Sequence, residues 1–185
     1  MAVEQNLMTL EEFDQLIASE PDRLYELING SLVEKVPTEE HAEIAGIVAG
    51  EVYAYLKAHP QLKARFGVEG RFRPADDHLN DRLPDVFLRF TDDPPVRRGP
   101  VIGVPDIAVE IRSPDDSIRS MREKADFYLA NGSQMVWLIY PEQRLVEVYQ
   151  PKLDILILQP GDRIDGGIVL PDFFLAVSTL FSTAD

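Results

Sequence analysis

Residues 105–114 read P-D-I-A-V-E-I-R-S-P. A short aliphatic run bounded by prolines predicts a strand over 105–111, and its apolar continuity makes it a central one. Alternation sets Ile107, Val109 and Ile111 on one face and Ala108, Glu110 and Arg112 on the other. Glu110 then stands inside a buried strand, where an acid is costly unless paired, hydrogen-bonded or bound to a metal. Residues 84–90, P-D-V-F-L-R-F, repeat the plan of proline, aspartate and apolar run. Asp85 enters one strand, Glu110 lies in the next, and Lys124 follows on an expected helix. Two carboxylates beside a lysine suit a hard divalent cation, Mg²⁺ or Mn²⁺, and the activation of a water for phosphoryl chemistry. The competing structural account is a solvated strand-end acid and a solvated helix lysine.

Working outward, residues 117–130 read as a helix stopped by Asn131-Gly132. It carries Arg119, Arg122 and Lys124 and can fold back over the end of the strand that holds Glu110. Lys124 there can orient the attacking water or offset charge developing on a phosphate. Tyr128, one turn on, shares its face. Residues 135–140 and 145–149 flank P-E-Q-R as a hairpin, residues 153–158 form a further strand, and residues 171–181 a short segment packed by its aromatics. Upstream, Thr9 and Glu12 make a capping box for a first short helix. Asn29-Gly30 between alternating flanks predicts a two-residue hairpin. Residues 41–59 form a long helix with an apolar stripe of Ile44, Ile47, Val48, Val52, Tyr55 and Leu56. At 100° per residue Glu51 falls inside that stripe, pointing toward the sheet as an accessory acid, with His41 near its margin. Residues 67–72 and 84–90 are strands, and a Pro- and Arg-rich loop precedes residue 105. Helix, hairpin, helix, strands, helix, strands is the order of a mixed sheet flanked by helices, α/β or α+β, in one domain over residues 1–185.

The chain of 185 residues has no cysteine, which excludes disulfides, zinc-thiolate sites and a thiol nucleophile. Neither a secretory signal nor an apolar run long enough to span a bilayer is evident, so a cytoplasmic protein is expected. A formal charge of −14 opposes binding of a polyanion. Arg71, Arg73, Arg82, Arg89, Arg97 and Arg98 can offset it around one cleft, although acids are interleaved with them. His41 and Glu51 can complete a site or be a capping histidine and a core-edge glutamate paired to an arginine. Glu26 has the simple alternative of a cross-strand ion pair. The glycine patterns of serine hydrolases, Walker sites and dinucleotide folds are absent.

The segments Y-E-L-I-N-G-S-L-V, E-E-H-A-E-I, L-P-D-V-F-L, P-D-I-A-V-E-I-R-S-P-D-D, K-A-D-F-Y, V-W-L-I-Y-P and L-P-D-F-F-L together resemble the Uma-type restriction endonuclease family of the PD-(D/E)XK superfamily. The resemblance runs from about Leu10 to Phe181. It implies a restriction-endonuclease-like core, with Asp85 as the motif aspartate and Glu110 as the acid of the (D/E)XK element. The motif lysine is replaced by Arg112, which keeps the charge but does not readily release a proton. The K-x-x-x-Y segment suggests that the lysine's role has moved to Lys124.

The expected activity is hydrolysis of a DNA phosphodiester: Asp85 and Glu110 hold Mg²⁺ or Mn²⁺, Lys124 positions water, Arg112 neutralises charge, and Glu51 is accessory. A non-catalytic interaction protein that keeps the nuclease fold is the alternative, and a metal-independent two-carboxylate hydrolase of a smaller substrate, such as a glycoside, a third. Cutting both strands of a duplex is compatible with a homodimer, for which Phe173, Phe174 and Phe181 can form an apolar two-fold surface or equally be core residues.

Overall fold

A computed structural model of the protein describes residues 7–181. The chain runs through α1 (Leu10–Ser19), β1 (Leu24–Ile28), β2 (Ser31–Lys35), α2 (Glu39–Ala58), β3 (Ala64–Val68), β4 (Phe72–Arg73), β5 (Val86–Phe90) and β6 (Val101–Ile102). It continues through β7 (Ile107–Ile111), α3 (Ile118–Ala130), β8 (Met135–Tyr140), β9 (Leu145–Tyr149), β10 (Leu156–Leu158), β11 (Arg163–Asp165), β12 (Phe174–Ala176) and α4 (Val177–Leu180). Six strands form the central sheet in the order β10-β9-β8-β7-β5-β3, parallel only between β7 and β8. The parallel pair requires a crossover, and α3 supplies it. The expected mixed sheet flanked by helices is the fold observed.

Both faces of the sheet are covered, which is why β7 and β8 are buried along their whole length. Ile107, Val109 and Ile111 pack with Ile44, Val48, Val52 and Tyr55 of α2 and with the C-terminal segment. Ala108 packs on the opposite face with Met121, Ala125 and Tyr128 of α3. This is the alternation expected from residues 105–111, and it turns Glu110 toward α3.

The N-terminal part is a satellite layer in which Phe13 of α1 packs on Tyr25 and Leu27 of the β1–β2 hairpin. The capping box forms, with Thr9 and Glu12 exchanging bonds of 2.8 and 3.2 Å. Asn29 and Gly30 take the positive φ values of 50° and 76° that the hairpin turn requires. At Gly30 an added Cβ would also lie 2.8 Å from Leu7 Cβ. Gly30→Ala is therefore expected to destabilise the protein by about 1–2 kcal/mol, measured as a lower urea midpoint at unchanged m-value.

Three expectations are corrected, and one strand pair is unforeseen. The strand expected over residues 67–72 is split, because Glu69 adopts φ 51° and the Phe87 ring lies against Gly70, where a Cβ would meet it at 2.3 Å. Phe72 and Arg73 pair instead with β6 in a separate two-stranded sheet. Of residues 153–158 only Leu156–Leu158 are strand, since Lys152 is in the left-handed region and the segment before β10 is a wide turn. The β11–β12 pair was not expected, R-I-D being too short to show a period. The proposed two-fold surface also fails: Phe173 and Phe181 are core residues, and Phe173 stacks on Trp137 at 5.8 Å. Phe174 alone is exposed, beneath the Arg163 guanidinium. Among the described residues no helix is long and apolar enough to cross a membrane.

Candidate functional site

The register that pairs Val86 of β5 with Val109 of β7 brings Asp85 level with Glu110. Asp85 is 2% exposed and its Oδ2 accepts the Ile111 amide at 2.6 Å. Glu110 is fully buried. Its Oε2 accepts from Lys124 Nζ at 2.7 Å and its Oε1 from Tyr128 Oη at 2.8 Å. Lys124 and Tyr128 lie one turn apart on α3, so a single helix face holds both oxygens of the carboxylate.

The other half of the cluster arrives from the N-terminal layer. Leu27 and Asp81 exchange two backbone bonds of 2.9 Å, docking the hairpin against the segment that leads into β5. Lys35, the last residue of β2, then reaches Asp85 Oδ1 at 2.5 Å and the Leu83 carbonyl at 2.6 Å. Glu26, in β1, accepts the Leu83 amide at 2.8 Å and lies 3.7 Å from Lys124 Nζ. His41 Nε2, from the first turn of α2, is 3.1 Å from Asp85 Oδ1. Arg82 is buried and its guanidinium lies 4.1 Å from the centre of the Phe127 ring. Glu26, Lys35, His41, Arg82, Asp85 and Lys124 line a pocket of about 680 Å³ between the hairpin and α3.

Burial and charge compete within the cluster. Burial pushes the Asp85 carboxyl up, but the Lys35 ammonium and the His41 contact outweigh it and hold the group below the ordinary aspartate range. Glu110 moves the other way. Burial pushes it up, Lys124 and Lys35 pull it down, and Asp85 and Glu26 raise it again, leaving it above the usual value. Lys124 is disfavoured by burial, yet Glu110, Glu26 and Asp85 keep it firmly protonated. Burial and Glu110 hold the Tyr128 phenol well above its usual value, so it donates as a neutral hydroxyl. Neighbouring carboxylates in unlike environments thus have unlike proton affinities, an arrangement common at acid–base sites.

Asp85, Glu110 and Lys124 are brought together, and Arg112 and Glu51 are not. Strand β7 ends at Ile111, so alternation does not carry to Arg112. Its guanidinium turns to Glu142 at 3.0 Å and to the Asp116 carbonyl at 2.8 Å. Glu51 is exposed. The buried arc of α2 is centred on His41, Ile44, Ala45, Val48, Val52 and Tyr55, which leaves Glu51 beyond its edge and puts His41 within it. Glu26 is not a cross-strand ion-pair partner, since it faces Val33 across the hairpin. The expected arginine cluster is also dispersed: Arg71 and Arg73 are spent on Asp81 at 2.9 and 2.7 Å, while Arg97 and Arg98 are exposed in a loop.

Lys35 is the member that sequence reasoning missed. A signal existed in Glu26, an acid between Tyr25 and Leu27 in a buried strand. Antiparallel pairing puts Glu26, Val33 and Lys35 on one hairpin face, and all three line the pocket.

The donor chemistry fits a hard cation. Asp85 and Glu110 offer only oxygen, and the buried Glu26 Oε2 has no hydrogen-bond partner. The set is not assembled as a ligand cage: among the described residues no three His, Asp or Glu side chains converge to hold an ion. Ammonium groups now stand on the oxygens that a cation would take.

Comparison with known proteins gives likenesses of two kinds. A family model described as "Uma2: Putative restriction endonuclease" matches residues 10–178. A solved structure described as a "putative nuclease belonging to DUF820", from Anabaena variabilis, is 28% identical over 95% of this chain and 98% of that one, with a TM-score of 0.79. Among curated proteins no match is found.

Proposed function

The chain belongs to the Uma2 family, and on that premise we propose that it is a divalent-metal-dependent nuclease that hydrolyses DNA phosphodiesters. The observation that carries the reading is the side-by-side placement of Asp85 and Glu110 with Lys124 bound to Glu110. Asp85 and Glu110 would hold Mg²⁺ or Mn²⁺. When bound, the ion supplies Lewis-acid polarisation of the phosphate and a water of lowered pKa. Lys35, which bonds Asp85 Oδ1, would then offer its charge to a phosphate oxygen. Lys124, kept charged and oriented by Glu110, positions the water, whose oxygen forms the new P–O bond as one ester P–O bond breaks, the water releasing a proton to solvent and the leaving oxygen taking one up. Tyr128 keeps the Glu110 carboxylate in place. The reading treats the chain as one domain acting in the cytoplasm.

A second reading, a non-catalytic interaction protein that retains the fold, is favoured by one observation. Glu26, Asp85 and Glu110 face Lys35, Lys124 and Arg82, so the cluster is charge-balanced without an ion.

Calorimetric Mg²⁺ and Mn²⁺ titrations beside cleavage assays on plasmid and single-stranded DNA separate the two. Asp85→Asn and Glu110→Gln are each expected to abolish the binding isotherm and to lower cleavage by at least about 10²-fold. Glu51→Gln is expected to behave as wild type. Binding without cleavage by the wild type would favour the second reading, and cleavage that survives EDTA would remove the metal from the first.

A further inference from the structure

Arg82 differs from the other cations of the pocket. Lys35 and Lys124 each bond a carboxylate directly, whereas the Arg82 guanidinium, although its charge acts on Glu26, makes no hydrogen bond or close ion pair among the described residues. The residue is only 4% exposed and its Nε is buried without an acceptor. Its backbone is fixed by two 2.8 Å bonds to Phe72, and its guanidinium is laid on the Phe127 ring. A buried, well-oriented guanidinium that makes no hydrogen bond is costly to maintain, and its planar fork matches the oxygens of a phosphate. Arg82 lines the same pocket as Asp85 and Lys124, so an anion there would sit beside the one at the acid cluster.

The rest of the pocket limits what can bring that anion in. Its outer lining includes Glu34, Asp115, Glu123 and Asp126, all exposed. A duplex carries about one charge per 1.7 Å of axis and would press many phosphates against those acids. An unpaired strand brings fewer, and its unstacked bases can lie on apolar surface. The hairpin wall offers such surface in Val33 and Val36, which are 38% and 72% exposed. The chain's charge of −14 leaves no surplus to recruit a duplex by field alone.

We propose that Arg82, stacked on Phe127, is a phosphate-receiving subsite for an unpaired DNA strand, and that the acidic rim excludes intact duplex. The proposal rests on the reading of this pocket as a nucleic-acid site but not on its cutting what it binds.

The test is fluorescence anisotropy with a labelled single-stranded deoxyoligonucleotide and the blunt duplex of the same sequence, with Ca²⁺ replacing Mg²⁺. Wild type is expected to bind the single strand at least tenfold more tightly. Arg82→Gln should weaken single-strand binding at least tenfold and reduce the slope of log K against log salt by about 0.7, one phosphate contact on a single strand. Arg82→Lys, which keeps charge without the fork, should fall between them. Asp126→Lys, a surface change that keeps the protein testable if Arg82→Gln does not fold, should raise duplex affinity far more than single-strand affinity. Equal or tighter duplex binding, no binding of either form, or an unchanged salt slope in Arg82→Gln would overturn the proposal. Preferential single-strand binding without cleavage in Mg²⁺ would instead count against the nuclease reading alone.

Discussion

Exchanging Lys124 for Met is expected to lower stability by about 3–5 kcal/mol at pH 8, the usual cost of removing one partner from a buried ion pair. For a chain of this length that is a fall of about 10 °C in melting temperature. Lys124 Nζ lies 2.7 Å from Glu110 and 3.7 Å from Glu26, and both acids are fully buried. Methionine fills the space but removes the largest compensating charge of both carboxylates, leaving Lys35 beside Glu110 and Lys35 and Arg82 beside Glu26. Glu110 already binds its proton above the ordinary range and loses in Lys124 the charge that most opposes this. A folded pKa raised above the unfolded one gives stability that is present at low pH and lost as pH rises through the folded value. The deficit should therefore be smaller at pH 5 than at pH 8, which calorimetric melts at the two values would show. Cleavage should fall at least about 10²-fold. A pH-independent loss below about 1 kcal/mol, the range of a surface pair, would mean that Lys124 does not compensate these acids.

Asp85→Asn should show the opposite pH signature. Asp85 accepts from Lys35, His41 and the Ile111 amide, and its folded pKa lies below the unfolded value near 3.9. Ionised Asp85 thus contributes stability above about pH 4 that is lost as pH falls toward the folded value. The amide removes the charge and turns an NH₂ donor toward groups that need an acceptor. A deficit of about 3–5 kcal/mol is expected at pH 7, shrinking as wild type is acidified below pH 4. Urea titrations of both proteins from pH 7 to pH 3 would measure the convergence. Parallel curves over that range would show that Asp85 is not the depressed acid.

Much of the architecture was legible because local rules and tertiary packing agree there. The Asn29-Gly30 turn, the Thr9–Glu12 cap and the alternation through Ile107–Ile111 each have a short-range cause that packing does not reverse. Lys124 and Tyr128 were paired by their one-turn spacing, and both bond Glu110. Glu51 and His41 were harder. A helical stripe constrains direction only to within tens of degrees, and the sheet packs on the His41 side of it. Arg112 was misplaced because a strand's alternation says nothing past the strand's last residue.

Sequence by itself determined most of the elements, the faces of β7 and the company of Glu110, Lys124 and Tyr128, because these follow from the strand and helix repeats. Only the tertiary structure decided that Lys35, Glu26 and His41 join Asp85, that the buried Arg82 Nε finds no hydrogen-bond acceptor, and that Glu51 faces outward. Those placements depend on the docking of the hairpin through Leu27 and Asp81 and on the roll of α2 over the sheet. Both are set by the packing of residues far apart in the chain, to which no local repeat is sensitive.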